Sequence, residues 1–121
     1  MSINKVLVVD DSPTELAYIQ SIVSDAGCLV LTATNGQEAL TKAKAEKPDL
    51  IFLDIVMPDQ DGFSTCRKLA GDTATKDIPV VFVTSKNQKA DRVWAQMQGA
   101  KGYITKPYSS NEIVDQIKAH Q

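Results

Sequence analysis

Leu50-Ile-Phe-Leu-Asp-Ile-Val-Met-Pro-Asp-Gln-Asp-Gly62 decides the fold, because a four-residue apolar run stops on a single carboxylate, Asp54. Leu50 to Leu53 reads as a buried strand, and the breakers Met57-Pro58 and Asp61-Gly62 mark the loop that follows it. Asp54 therefore stands at a strand's end, where open α/β sheets place their chemistry. Three other apolar runs close in the same way. Val6 to Val9 ends in Asp10 and Asp11, Val80 to Val83 in Thr84, and Gly102 to Thr105 in Lys106.

The segments between these runs have helical spacing and helix punctuation. Ser12 is a candidate N-cap, Pro13 a first helical residue and Glu15 the return half of a capping box. Leu16, Ile19, Ile22, Val23 and Ala26 then repeat at helical spacing until Gly27. Cys28 to Leu31 is the predicted second strand. Asn35 caps a second helix with Ala39, Leu40 and Ala43 inward, ended by Pro48. Asp61 caps a third helix carrying Phe63, Cys66, Leu69 and Ala70, closed by Gly71.

A polar link from Asp72 to Asp77 leads to the fourth strand. In the fourth helix Ala90, Val93, Trp94 and Met97 share one stripe, expected to face the core, and Gly99 ends it. Trp94, the sole tryptophan, is also a candidate for partner contact, since tryptophan is enriched in binding hot spots. Lys101 to Thr105 is the fifth strand, and Ser109 with Glu112 opens a fifth helix to Ala119.

Five βα units with strands apolar on both faces imply a parallel sheet covered by helices on each side. Right-handed crossovers leave few topologies, of which the flavodoxin-like doubly wound order 2-1-3-4-5 is the natural choice by precedent. In that order the first and third strands are neighbours, so Asp10, Asp11 and Asp54 share a crevice. A chain of 121 residues is expected to be one domain, 1–121, with no separate output domain. With 43% hydrophobic and 23% charged residues it has the composition of a folded globule, and a net charge of −2 argues against nucleic-acid binding. No apolar stretch approaches a membrane span or a signal peptide, so a cytoplasmic location is expected. Cys28 and Cys66 fit no metal spacing and read as buried thiols, and His120 reads as a solvated tail residue.

Three carboxylates in one crevice repel unless cations compensate them. Lys106 and one Mg²⁺ supply that charge, and two carboxylates, a backbone carbonyl and water suit the oxygen-rich octahedron Mg²⁺ prefers. Asp54 can then act as a nucleophile toward phosphorus, with Thr84 and Lys106 around the phosphoryl oxygens. Singly, each residue has a plainer reading. An acidic pair before a helix complements its dipole, and a strand-end threonine or a surface lysine is ordinary. Their joint placement at four strand ends favours the chemical reading. A phosphatase of the haloacid dehalogenase type would want an Asp-x-Asp pair, whereas Asp54 is followed by Ile55 and Val56. A nucleotide binder would want a Gly-rich loop, which Asp10-Asp11-Ser12-Pro13 does not supply. An interaction module that never carries phosphate is the third alternative.

The ordered set Asp10-Asp11, Asp54, Met57-Pro58, Asp61-Gly62, Thr84, Gly99-Ala100 and Lys106-Pro107 resembles the receiver domain of two-component response regulators, over essentially the whole chain. The resemblance implies that a histidine kinase phosphorylates Asp54, with no enzymatic activity beyond the chain's own phosphorylation and dephosphorylation. It implies that Asp11, Asp54 and the Val56 carbonyl ligate Mg²⁺, that Asp10 holds metal-bound water and that Lys106 pairs with the phosphoryl oxygens. It also implies a cis bond at Lys106-Pro107 and a switch through Thr84 and Tyr103. That switch alters the face of the fourth helix, fifth strand and fifth helix, where Trp94 and Tyr103 are output-surface candidates. A monomer signalling to a downstream effector protein, with neither nucleic acid nor membrane as partner, is expected. Asp11-Ser-Pro-Thr-Glu15, Asp91-Arg-Val-Trp94 and Gln98-Gly-Ala100 look most like receivers of pilus-linked chemosensory pathways. A flagellar chemotaxis regulator, a phosphate sink and a phosphorelay intermediate are the alternatives.

Overall fold

The structure, a computed structural model, describes residues 3–121. Five strands, β1 (Lys5–Val9), β2 (Leu29–Ala33), β3 (Leu50–Leu53), β4 (Val80–Thr84) and β5 (Gly102–Thr105), alternate with five helices. These are α1 (Pro13–Asp25), α2 (Gly36–Glu46), α3 (Gly62–Gly71), α4 (Lys89–Met97) and α5 (Ser110–Ala119). All strand pairs are parallel, in the order β2-β1-β3-β4-β5, so the doubly wound flavodoxin-like architecture is the observed one.

Alternation along the strands divides the core in two, because successive side chains point to opposite faces. Val6, Val8, Leu50, Phe52, Val81, Val83 and Ile104 pack beneath α1 and α5 with Ile19, Ile22, Val23, Ile113 and Ile117. Leu7, Val9, Ile51, Leu53, Val80 and Phe82 form the other face with Ala39, Leu40, Ala43, Cys66, Leu69 and Ala95 of α2, α3 and α4. Each fully buried aliphatic or phenyl side chain contributes about 1.5–3 kcal/mol, so the central strands hold the frame.

Register carries the frame into the site. Val9 pairs with Leu53, and the ladder continues one residue further, with Asp54 N–H donating to the Val9 carbonyl at 3.1 Å. On the other flank Thr84 pairs with Thr105, and Lys106 N–H donates to the Thr84 carbonyl at 2.8 Å.

Four local expectations need correction. β2 begins at Leu29 and runs to Ala33, because pairing with Lys5–Val9 fixes its register and Cys28 turns inward before it starts. Ser12 caps α1 by accepting from Glu15 N–H, but Glu15 does not complete a capping box. The Ser12 N–H donates to Asp10 Oδ1 at 2.9 Å instead, and the Glu15 carboxylate lies 3.7 Å from Lys106 Nζ. The α4 stripe faces solvent: Val93, Trp94 and Met97 are 47%, 45% and 68% exposed, and Ala95 is the helix's buried residue. Spacing defines a stripe without saying which side of the helix meets the sheet. His120, expected in solvent, is the C-cap of α5 and half-buried.

Candidate functional site

The strand ends bring Asp10, Asp11, Asp54 and Lys106 together. The carboxylate oxygens of the three aspartates lie within 4.8 Å of one another. Lys106 Nζ donates to Asp10 Oδ2 at 2.8 Å and to Asp54 Oδ2 at 3.2 Å, bridging the ends of β1 and β3. Asp10 and Asp54 are buried, and Asp11 is exposed at the mouth. Asp54 Oδ1 accepts from its neighbour Ile55 N–H at 2.6 Å and from Val56 N–H at 3.4 Å, which orients the carboxylate at the start of the loop.

Burial alone would lower the Lys106 pKa. The hydrogen bond to Asp10 and the charges of Asp54 and Asp10 outweigh it and hold the ammonium above the ordinary lysine value. Glu15 joins Asp10 and Asp54 around this one ammonium and Asp11 stands beside the other two aspartates, so a divalent cation would still leave one net negative charge among the four carboxylates. Three carboxylates that can offer oxygens within 4.8 Å of one another form an all-oxygen, anionic donor set, which fits a small hard cation such as Mg²⁺. Glu15 was not expected in the cluster. Its position one helical turn beyond Asp11 was the signal.

Thr84 is fully buried at the end of β4, and its hydroxyl accepts from Lys86 N–H at 3.4 Å. Tyr103, on the neighbouring β5, is half-buried against Phe82 with ring centroids 6.1 Å apart, and its hydroxyl donates to the Lys86 carbonyl at 2.6 Å. The Arg92 guanidinium sits 4.9 Å from the Tyr103 ring centroid and donates to Thr105 Oγ1 at 2.7 Å. Trp94 stands off this cluster, edge-on to Phe63 at 6.5 Å. The Lys106-Pro107 bond is cis. The Val56 side chain is 55% exposed beside the site.

Gly62 closes the loop. Its N–H donates to the Ile55 carbonyl at 2.7 Å, and a Cβ there would overlap the Asp54 carbonyl oxygen and sit 2.7 Å from Ile55 Cα. Neither neighbour is a flexible side chain, so Gly62→Ala must displace the backbone that carries Asp54. A loss of about 2–3 kcal/mol in urea unfolding is expected. A change below 0.5 kcal/mol would mean the loop yields freely.

A doubly wound parallel sheet with an acidic triad and a lysine on its strand ends is the receiver architecture. Residues 6–118 match the response regulator receiver domain family, and the chain belongs to it. It is 43% identical to Protein PilH of Pseudomonas aeruginosa, over 95% of either chain. It is 39% identical to Protein PilG of the same organism, over 96% of this chain and 86% of that one. The chemotaxis response regulator CheY4 of Vibrio cholerae superposes with a TM-score of 0.91 at 28% identity, covering 99% of this chain and 100% of CheY4. Among the described residues, no helix is long and apolar enough to cross a membrane.

Proposed function

We propose that Asp54 is the phosphoacceptor of a cytoplasmic, monomeric response regulator whose receiver domain is the chain 1–121, served by a histidine kinase. The convergence of Asp10, Asp11, Asp54 and Lys106 from three strand ends is the observation that supports this reading. An Asp54 carboxylate oxygen attacks phosphorus in line. The bond to the donor nitrogen breaks with its electron pair leaving on the imidazole, and an acyl phosphate remains. Lys106 and the Thr84 hydroxyl take up two phosphoryl oxygens, with Thr84 and Tyr103 passing the change to the α4, β5 and α5 face. Asp11, Asp54 and the Val56 carbonyl would hold Mg²⁺, with Asp10 acting through water. When bound there, the ion neutralises the charge gathered on the phosphoryl oxygens.

The effector surface in this reading centres on α4. Val93, Trp94 and Met97 present an apolar stripe away from the sheet, and large exposed side chains grouped in this way mark interaction sites. The likeness to PilH and PilG favours a pilus-linked chemosensory pathway over the flagellar, sink and relay alternatives. The test is phosphotransfer from histidine kinases, followed by intact-mass and peptide analysis. One phosphoryl group on Asp54 is expected, and a protein that gains none from any kinase or from acetyl phosphate with Mg²⁺ overturns the reading.

Val56 offers no hydrogen bond to a water approaching the acyl phosphate. Val56→Asn is therefore expected to speed spontaneous loss of phosphate, by less than the roughly 10²-fold low end of general-base effects because an amide orients the water without taking its proton. Hydrolysis of the phosphorylated form, followed beside the parent, checks this. Equal or slower loss removes the idea.

A further inference from the structure

We propose that Asp59 is a positioning residue that pins the phosphoacceptor loop to the N-terminus of α2, an inference that rests on the reading of Asp54 above. Loops from strand to helix are ordinarily the mobile parts of an α/β domain. This one must hold the Val56 carbonyl in place for the metal. Asp59, three residues beyond Val56, reaches across to a different βα unit. Its Oδ1 accepts from Gly36 N–H and its Oδ2 from Gln37 N–H, each at 2.9 Å, and Oδ1 also accepts from Gln60 N–H at 2.8 Å.

Gly36 and Gln37 are the first residues of α2, whose own cap, Asn35, accepts from Glu38 N–H at 2.8 Å. Asp59 takes the two helical donors that Asn35 does not reach. A carboxylate is favoured at that end of the helix, and the bonds from Gly36, Gln37 and Gln60 hold its pKa below the usual carboxylate value. Gly36 completes the joint: a Cβ there would run into the Gln60 side chain and sit 2.6 Å from Thr65 Oγ1. The loop is thus pressed onto α2 and tied to it at mid-length. Asp59 itself is exposed, so it fills no place in the core.

Without Asp59 the loop keeps its two ends, at Asp54 and at the Gly62 N–H, and loses its middle tether. Mg²⁺ affinity should then fall while the fold persists. The experiment compares the full chain with Asp59→Ala, Asp59→Asn and Asn35→Ala. It measures Mg²⁺ binding by calorimetry, phosphorylation rate with acetyl phosphate, and thermal unfolding without metal. Asp59→Ala should weaken Mg²⁺ about tenfold, the low end for groups that support metal ligands. Asp59→Asn, which keeps one acceptor oxygen, should recover part of that loss. Asn35→Ala removes a cap of the same helix, so it should lower thermal stability comparably and leave Mg²⁺ affinity unchanged.

Wild-type Mg²⁺ affinity in Asp59→Ala, or an equal loss in Asn35→Ala, overturns the positioning role while Asp54 remains the acceptor. A parent chain that takes no phosphoryl group at Asp54 overturns both.

Discussion

Asp54→Asn is expected to abolish the phosphoryl adduct formed with acetyl phosphate and Mg²⁺, while making the metal-free protein more stable to urea by about 1 kcal/mol, an ordinary size for one substitution. The first effect follows from nucleophilicity. An amide oxygen carries no full charge, and its attack on phosphorus would not yield a stable acyl phosphate. The second follows from the charge around Lys106, where Asp10, Glu15 and Asp54 share one ammonium and Asp11 adds a fourth carboxylate to the aspartate cluster. Removing one of four like charges relieves repulsion. Asp10 keeps its 2.8 Å pairing with Lys106, and an asparagine Oδ1 can still accept the Ile55 N–H. The gain should vanish at saturating Mg²⁺, since the ion neutralises the same excess. Intact-mass measurement and paired urea titrations with and without Mg²⁺ check both parts. An adduct forming on Asp54→Asn at the parent rate would move the acceptor elsewhere, with Asp10 and Asp11 next in line.

The frame was legible in the sequence because its strands are short, apolar on both faces and stopped by polar residues. Leu50–Leu53 and its neighbours needed little tertiary information, and parallel pairing then carried Asp10, Asp54 and Lys106 to one edge. What remained hidden depends on contacts between units. The stripe of Ala90, Val93, Trp94 and Met97 has helical period, but nothing in that period distinguishes a face packed on a sheet from one offered to solvent. β2 starts one residue later and ends two residues later than its apolar run suggests, because an edge strand takes its register from β1. Ser12 and Glu15 have the spacing of a capping box, yet Asp10 competes for the Ser12 N–H and Lys106 attracts Glu15. Asp59 lies in a stretch that reads only as turn chemistry. Its bonds to Gly36 and Gln37 cross more than twenty residues of chain, and no local pattern encodes them.

Lys106→Met separates the two roles proposed for this lysine, stabilisation of the transferred phosphoryl group and charge balance in the acidic cluster. Lys106 is the one cation within reach of both Asp10 and Asp54 among the described residues. If it takes up a phosphoryl oxygen as proposed, its removal should slow phosphorylation by acetyl phosphate about 10²–10³-fold, the usual effect of deleting one preorganised donor. The same change should tighten Mg²⁺ binding, because a positive neighbour opposes a second cation. Even with water-like screening at a few ångströms, this repulsion amounts to about a tenfold change in affinity. Without metal the variant should lose about 1–3 kcal/mol in urea. That is below the value for a fully enclosed ion pair, since the Lys106 side chain keeps 15% of its surface exposed.

The pH dependence has a definite sign. The folded-state pKa of Lys106 lies above the ordinary lysine value, so its contribution is whole below about pH 10.4 and is lost as pH rises through the folded value. The parent should therefore lose its advantage over Lys106→Met only in strong alkali. A variant that is slower in phosphorylation and also weaker for Mg²⁺ would mean that the lysine organises the loop rather than competing with the ion. In that case charge balance would not be what brings Asp10 and Asp54 together, and the acidic cluster would have to be held by backbone geometry alone.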